Sequence, residues 1–467
     1  MSAEGATDSR DSFAPPGLGS QTTPFHGRRP WLHYAAAPRL NTDASTRNLD
    51  NSASQEGLYS RREVGRNFLR RILTPTYKCW AMSTSTTLSE VSTPARIKFA
   101  LVIIGTLIGF LLCEITLRVY NPFGFRMRGN TLVLPVNQTY TIEDPNLTAF
   151  DKLDKRVTHT KNSLGFRGPE PPAGFADYLS LVTIGGSTTE CFYLSDNQTW
   201  PAVLDSRLRM QFPKLWVNNA GLDGHTTFGH LVLMQDYVGR LRPKVALFLV
   251  GINDLFADEP RSYDVMDRNN VVGAIANHSE VVALVLNMAR YARTSRMKSL
   301  GAMPKPLNLN VPEYRDMSAA DESDLLNAQK PLLKAYESRL SRLMALTRES
   351  GITPVLMTQP ALFGEAIDDV TQADLSRVSI EIYRQMNGRT AWKMLESYND
   401  VTRKVGQTEN VAVIDLAHQL PKSSRYFYDY IHYGKEGAQA VGKIVERNLC
   451  PTLKANWPQF ATGECRQ

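Results

Sequence analysis

Short apolar runs alternate with longer amphipathic stretches along the second half of the chain. Runs at Leu179–Ile184, Leu215–Asn219 and Val245–Val250 predict buried strands, because they are short, continuous and rich in branched residues. Two more strands are predicted at Thr353–Met357 and Val411–Asp415. Strands that alternate with helices are typical of an α/β fold, in which helices cover both faces of a parallel sheet.

The stretches between these strands carry apolar residues at helical spacing. The predicted helices are Trp200–Phe212, Phe228–Leu241, Ser279–Thr294, Leu325–Glu349, Trp392–Val405 and Lys435–Asn448. The alternation is interrupted at Phe256–Asp324, which contains one of these helices and a proline-rich loop at Met303–Pro312. An acidic loop is predicted at Gly364–Ser376. We expect the interruption to shape the choice of substrate.

The most apolar stretch, Phe99–Leu117, precedes the predicted sheet. Its 19 residues are apolar except for Glu114, and at about 1.5 Å each they would extend about 28 Å, close to the bilayer core of about 30 Å. We predict a single transmembrane helix over residues 96–118, with Glu114 near one end and able to pair with Arg118. A cleaved signal peptide fits less well, because no small-x-small site follows.

Charge is unevenly distributed along the chain. Residues 1–130 hold 16 Lys and Arg against 9 Asp and Glu, whereas residues 131–467 hold 37 of each. A neutral body argues against a nucleic-acid surface, which would need a basic face. Eight basic residues between Arg61 and Lys98 favour a cytoplasmic location for that side of the membrane helix, so that the body would face outward.

The composition divides the chain into five parts. Residues 1–95 are rich in Ser, Thr, Pro, Gly and Arg, and we predict that they are disordered. A short basic amphipathic helix near Arg61–Arg71 and a translation start at Met82 remain alternatives. The membrane helix is followed by a linker with a small β-rich collar at 119–175. In this collar Leu132–Ile142 is predicted to form one or two edge strands. A catalytic domain at 176–450 and a tail at 451–467 complete the chain.

Four polar stretches lie where chemistry is expected in such a sheet. The first is Gly185-Gly-Ser187, directly after a predicted strand, and the others are Asn219–Thr226, Val250–Asp254 and Asp429–His432. Open α/β sheets bind ligands at the carboxyl ends of their strands. A serine hydroxyl is a poor nucleophile without a base. His432 is the candidate base and Asp429 its partner, which would hold the imidazole tautomer.

Each of these residues also has a purely structural interpretation. Ser187 could be a helix N-cap, and Asp429 and His432 could cap the closing helix. His225 and His230, near the second stretch, are interpreted as structural, and His418 as a surface residue. The combination of the four stretches in this order favours catalysis over these separate explanations.

In this order the four stretches resemble the blocks of the SGNH (GDSL-type) hydrolase family, over Leu179–Arg447. The resemblance implies a flavodoxin-like fold and a serine hydrolase with the triad Ser187, Asp429 and His432. It also implies an oxyanion hole made of the backbone N–H groups of Ser187 and Gly224 and the side-chain amide of Asn253, with Gly221 as the alternative to Gly224.

The sequence departs from the family pattern at two positions. Gly186 replaces the aspartate that usually precedes the nucleophile, and we expect this to alter the support of the turn. Cys191 replaces a glycine four positions after the nucleophile, and a packing role is preferred over a chemical one. The stretch Asn162–Glu170 is similar to a segment of membrane-anchored bacterial members, and it forms either a lid or collar near the site or a packed connector.

These features predict a membrane-anchored serine esterase of the bacterial inner membrane, with a periplasmic catalytic domain. The expected substrates are short acyl esters, O-acetyl groups on envelope or extracellular saccharides in particular. A saccharide O-acyltransferase with the same triad and a non-catalytic glycan-binding or scaffold module are the alternatives. No metal, nucleotide or redox cofactor is expected, because the five cysteines lack metal-ligand spacing. Cys450 and Cys465 could form a disulfide in an oxidising compartment.

Overall fold

The chain is described by a computed structural model that covers residues 94–120, 127–128, 131–143, 152–260, 264, 271–296, 308–382 and 384–466. The predictions for residues 1–93, disorder or a basic amphipathic helix, lie outside the described residues.

The strands and helices of the described ranges are numbered along the chain. The strands are β1 (Met127–Arg128), β2 (Thr131–Leu132), β3 (Gln138–Ile142), β4 (Val157–Lys161), β5 (Leu179–Gly185), β6 (Leu215–Asn219), β7 (Val245–Leu249), β8 (Thr353–Met357), β9 (Ser379–Ile382), β10 (Arg384–Asn387) and β11 (Ala412–Ile414). The helices are α1 (Ala95–Val119), α2 (Ser187–Glu190), α3 (Trp200–Leu208), α4 (Thr227–Leu233), α5 (Gly239–Leu241), α6 (Val271–His278), α7 (Glu280–Arg296), α8 (Ala319–Glu349), α9 (Gly388–Thr408), α10 (Leu416–Gln419) and α11 (Lys435–Asn456). A π-helical turn, Met234–Val238, joins α4 to α5.

A five-stranded parallel sheet forms the centre of the molecule. Its order is β6-β5-β7-β8-β11, and every neighbouring pair is parallel. Taken in sequence order this is 2-1-3-4-5, the flavodoxin-like arrangement. Every residue of β5, β6 and β7 is buried, as expected for strands that are covered on both faces.

Helices pack in two layers against this sheet. One layer contains α3 and α11, which contact each other, and the other contains α8 with its neighbours α4 and α9. The predicted fold class, a parallel sheet between helices, is therefore confirmed. The strands predicted at Leu215–Asn219 and Thr353–Met357 have the observed bounds.

Several predicted bounds are wrong in detail. The closing helix does not end at Asn448 but continues past Pro451 to Asn456, because Leu453 on its last turn is fully buried and a single proline removes only one helical hydrogen bond. Cys450 in this helix is disulfide-bonded to Cys465. The hairpin β9–β10 and the helix α6 were not predicted.

The helix α1 contains the predicted apolar stretch and is 25 residues long. Of the described residues, it is the one helix long and apolar enough to cross a bilayer. Glu114 and Arg118 form the predicted ion pair, with 2.9 Å between Oε1 and Nε. The helix is therefore a candidate membrane span.

The segment between the collar and the sheet is a packed connector rather than a lid. The collar is the antiparallel pair β3–β4, and the segment that follows it buries Asn162 and Arg167. The Arg167 guanidinium donates hydrogen bonds to the backbone oxygens of Glu190, Cys191 and Leu194, at 2.8, 2.9 and 2.8 Å. It also forms an ion pair with Asp196 at 2.8 Å. One side chain thus holds the loop that follows α2.

We expect Arg167→Met to lower the free energy of unfolding by about 3 kcal/mol, because it removes one hydrogen-bond donor from each of three buried carbonyl oxygens and the ionic partner of Asp196. Equilibrium urea unfolding followed by tryptophan fluorescence would measure the change. Arg342→Met is the matched control, because its ion pair with Glu349 is exposed on both sides and such pairs contribute about 0–1 kcal/mol. Equal losses in the two variants would contradict the assigned role of Arg167.

Candidate active site

The nucleophile candidate lies where the order of the sheet reverses. Strand β5 pairs with β6 on one side and with β7 on the other, and Ser187 begins α2 two residues after the last residue of β5. Ligands of open α/β sheets bind in the crevice outside such a switch point. The turn is tight, because a Cβ atom on Gly185 would collide with the Leu249 carbonyl and the Thr189 side chain. Gly185 therefore allows β5 and the end of β7 to approach closely.

Ser187, His432 and Asp429, the three predicted triad residues, are joined by hydrogen bonds. The Ser187 Oγ lies 2.7 Å from His432 Nε2, and His432 Nδ1 lies 2.6 Å from Asp429 Oδ2. A carboxylate only accepts hydrogen bonds, so Nδ1 carries the proton, and Nε2 is left to accept the proton of the serine hydroxyl. The geometry is that of a serine activated by an oriented base.

The short loop that carries Asp429 and His432 is held by its own hydrogen bonds. The second carboxylate oxygen of Asp429 accepts the backbone N–H groups of Ile431 and His432, at 2.8 and 2.7 Å. The Tyr428 ring stacks on the His432 imidazole, with centroids 5.6 Å apart and 10° between the planes. Asp429 is buried and His432 largely so. The carboxylate therefore fixes both the backbone and the ring of its partner.

The pKa of His432 reflects opposing influences. Burial by itself lowers this pKa, because it disfavours the charged imidazolium. The charge of Asp429, its hydrogen bond to Nδ1 and the charge of Asp223 act in the opposite direction. Together they prevail, so that the pKa of His432 lies above its ordinary value of 6.5. Asp223 is thus a second carboxylate that acts on the imidazole.

The loop after β6 presents a backbone N–H next to this group. Gly224 has φ +75°, a left-handed conformation that glycine adopts without strain. In the described part of the chain the N–H of Gly224 makes no hydrogen bond, whereas Asp223 N–H donates to Glu190 and His225 N–H to the Leu222 oxygen. The N–H of Gly221 is also engaged, by Asn219 Oδ1 at 2.8 Å. This difference favours Gly224 over Gly221 as an oxyanion donor.

The Asn253 side chain occupies the space that Gly186 leaves open. Its amide nitrogen donates to the His225 backbone oxygen at 3.1 Å, and a Cβ atom on Gly186 would collide with it. An amide group has two donor hydrogens, so one remains for a ligand. The φ of Gly186 is −83°, which any residue adopts. Space for the Asn253 amide is therefore one requirement that glycine meets at this position.

A buried ion pair supports the loop of Gly224. Lys161 of β4 lies 3.3 Å from Glu190, and both side chains are 4 % exposed. The other carboxylate oxygen of Glu190 accepts the Asp223 N–H at 2.5 Å. The sequence analysis missed Lys161, Glu190, Asp223 and Arg167. Asp223 lies inside the second stretch and Glu190 three residues after the first, which was the available signal, whereas nothing in the pattern marked Lys161.

Cys191 is a packing residue, as predicted. Its thiol is buried and lies 3.4 Å from the Thr188 oxygen. Burial raises the pKa of this thiol to about 12, so it stays protonated and unreactive. Its φ is +50°, which explains why a glycine is usual at this position.

His225, His230 and His418 have the environments that were predicted for them. His225 and His230 are buried with ring centroids 5.9 Å apart, and burial lowers the pKa of His230 to about 3. His418 is exposed and pairs with Asp415 and Glu396. Among the residues that the structure describes, no group of His, Cys, Asp and Glu is arranged to hold a metal ion.

Comparison with solved structures gave several distant matches. Axe2, an acetylxylan esterase from Geobacillus stearothermophilus, is 14% identical, with coverage of 58% of this chain and 93% of that chain and a TM-score of 0.33. A putative lipolytic protein of the G-D-S-L family from Desulfitobacterium hafniense is 13% identical, with coverage of 57% and 97% and a TM-score of 0.32. LAE5, an alpha/beta hydrolase from the metagenome of Lake Arreo, Spain, is 17% identical, with coverage of 58% and 94% and a TM-score of 0.33.

Comparison with curated proteins gave no match. The family described as GDSL-like Lipase/Acylhydrolase matches residues 183–440, more than half of the chain. This range contains all four of the polar stretches that build the site. The chain belongs to the GDSL-like lipase/acylhydrolase family and is a serine hydrolase of this type.

Proposed function

We propose that the protein is a membrane-anchored serine esterase that removes short acyl groups, O-acetyl groups in particular, from envelope or extracellular saccharides. The observation that carries the proposal is the continuous hydrogen-bonded row of Ser187, His432 and Asp429, with distances of 2.7 and 2.6 Å. It lies at the carboxyl end of β5, beside two N–H groups without hydrogen-bond partners in the described residues, those of Ser187 and Gly224.

The proposed reaction runs through an acyl-enzyme. Ser187 Oγ attacks the ester carbonyl carbon while its proton passes to His432 Nε2. The oxygen of the tetrahedral intermediate accepts hydrogen bonds from Ser187 N–H, Gly224 N–H and the Asn253 amide. The proton on His432 then passes to the leaving saccharide oxygen as the ester bond breaks. Water, deprotonated by the same imidazole, attacks the acyl-enzyme and releases the acid.

The surroundings of the triad favour a small polar substrate. The carboxylate of Asp223 is exposed and its charge acts on His432, so it would repel an anionic ligand. The rings of Tyr193 and Tyr428 meet edge to face beside the imidazole, with centroids 6.4 Å apart, and tyrosines offer both an apolar face and a hydroxyl. In the described ranges, no strongly exposed large apolar side chain belongs to β5, α2 or residues 220–225 and 426–433. A long acyl chain would need such an apolar surface.

The proposed location rests on α1 and on the disulfide. Large apolar side chains of α1 are exposed along the whole helix, from Ile97 to Val119, as a lipid-facing helix requires. The bond between Cys450 and Cys465 is typical of oxidising compartments such as the periplasm. We therefore place the catalytic domain on the outer side of a bacterial inner membrane.

Hydrolysis of para-nitrophenyl esters from acetate to octanoate by the full chain in detergent tests this proposal. We expect acetate to be preferred and Ser187→Ala to reduce kcat by up to about 10⁶-fold, as loss of the nucleophile does in serine hydrolases. Ser206→Ala is the control, because this exposed hydroxyl contacts only its own helix. Unchanged turnover in Ser187→Ala would refute the proposal. Activity that requires an added saccharide acceptor would identify a transferase with the same triad.

The position of the Asn253 amide is tested by Gly186→Ala. The added methyl group should displace the amide and lower kcat by about 10²–10³-fold, the usual cost of one lost oxyanion donor, with KM little changed. Asn253→Ala should have a similar effect, and the double variant should be no worse than either single one. Gly463→Ala is the control, because a methyl group there meets only ordinary contacts. If the losses of kcat in Gly186→Ala and Asn253→Ala were additive in the double variant, the two substitutions would not act through the same displaced amide.

The influence of Asp223 on His432 is tested by pH dependence. His432 must be neutral to accept the serine proton, so kcat/KM should rise as pH passes upward through its pKa, above 6.5. Asp223→Asn removes a charge that raises this pKa, and the acid limb of the profile should move to lower pH. Asp324→Asn, which changes an exposed carboxylate on α8, should leave the limb unchanged. An acid limb that stays in place or moves to higher pH in Asp223→Asn would show that this carboxylate does not raise the pKa of the imidazole.

A further inference from the structure

The insertion after Asn253 contains two apolar helices that stay exposed. In α6, Val271, Val272 and Ile275 are 72%, 47% and 51% exposed. In α7, Val285 and Met288 are both 60% exposed. These exposures are too high for core positions, and a cluster of large apolar side chains on a surface marks a contact with another apolar phase.

The length and composition of α7 indicate that the apolar phase is a lipid bilayer. Residues Glu280–Ala289 form a short apolar helix of about 15 Å, half of the hydrocarbon thickness of about 30 Å. A helix of this kind is either buried in a core or lies in a membrane interface, and its exposed side chains exclude the core.

The candidate membrane span is joined to these helices at their junction. Glu114 of α1 accepts hydrogen bonds from Ser279 Oγ at 2.9 Å and from the N–H groups of Glu280 and Val281 at 3.0 and 3.2 Å. A carboxylate at the amino end of a helix is stabilised by its N–H groups and dipole. Arg118 holds Glu114 and donates to the His278 oxygen. The one charge inside the apolar stretch of α1 is therefore buried as the cap of α7.

The packing of α1 makes the two apolar surfaces continuous. Helix α7 packs against α1, and both α6 and α7 contact β1, which lies close to α1 in the chain. The exposed side chains of α6 and α7 thus adjoin the end of a helix whose own apolar side chains are exposed along its length.

We propose that α6 and α7 lie in the interface of the membrane that α1 crosses, with the exposed side chains of Val271, Val272, Ile275, Val285 and Met288 among the lipid chains. The occupant of this surface is lipid, and the catalytic body is held at the bilayer by two attachments instead of one flexible tether. This inference rests on the proposed membrane anchor and goes beyond it.

Spin labels on the full chain in vesicles of phosphatidylethanolamine and phosphatidylglycerol test the inference. Single labels are placed by Ile275→Cys, Val285→Cys or Met288→Cys in a Cys79→Ser, Cys113→Ser background, and the ratio of collision rates with oxygen and with a water-soluble nickel complex is measured. Cys191 is buried and the other two described cysteines form a disulfide, so they do not take the label. Cys113, exposed on α1, is labelled in the Cys79→Ser variant as the membrane reference. Val370→Cys, exposed on the catalytic body, is the aqueous reference in the Cys79→Ser, Cys113→Ser background.

We expect the ratios at 275, 285 and 288 to shift from the value at 370 toward the value at 113. Ratios equal to that at 370 would overturn the inference while leaving the anchor intact. Labels that are immobilised and shielded from both reagents, or broadened by a neighbouring label, would also overturn it, because protein would then occupy the surface. An aqueous ratio at Cys113 itself would refute the anchor, which is a separate failure. Circular dichroism of each labelled variant verifies that the chain is folded.

Discussion

The active site depends on the close approach of backbones at the nucleophile turn. Gly185 allows the end of β5 to pack against Leu249 of β7, and Gly186 leaves the space that Asn253 fills. Ser187 then follows at the switch point of the sheet, within hydrogen-bond distance of His432. A larger residue at either glycine would displace the end of β7 or the Asn253 amide from its position beside Ser187. Steric space, more than backbone flexibility, is what these two positions provide.

Two buried cations hold the loops around this turn. Arg167 satisfies three backbone oxygens after α2, and Lys161 pairs with Glu190, whose carboxylate holds the Asp223 N–H. Buried charges are costly unless they are paired and hydrogen-bonded, so such groups define one arrangement of the loops around them. Both cations come from the collar and its connector. Arg167 therefore supports the loop that follows α2, and Lys161 supports the loop of Gly224 through Glu190.

The insertion connects the site with the proposed membrane surface. It begins beside Asn253, and within it Asp264 accepts hydrogen bonds from the N–H and hydroxyl of Thr226, at 3.1 and 2.5 Å. It then reaches Glu114 through α6 and α7. The insertion thus contacts the loop of Gly224 through Asp264 and also contains the exposed apolar side chains of α6 and α7. For an esterase of envelope saccharides, this would set the height of the catalytic centre above the bilayer.

The sequence by itself determined the five strands of the central sheet, the order of the four polar stretches and the pairing of Asp429 with His432, because apolar periodicity and neighbours three residues apart are local properties. It also located the apolar stretch of α1. Only the tertiary structure decided that Asn253 fills the space beside Gly186, that Gly224 rather than Gly221 presents an unpaired N–H, and that Glu114 caps α7. These contacts join residues distant in sequence, and their geometry is fixed by the path of the backbone between them, which no local pattern encodes.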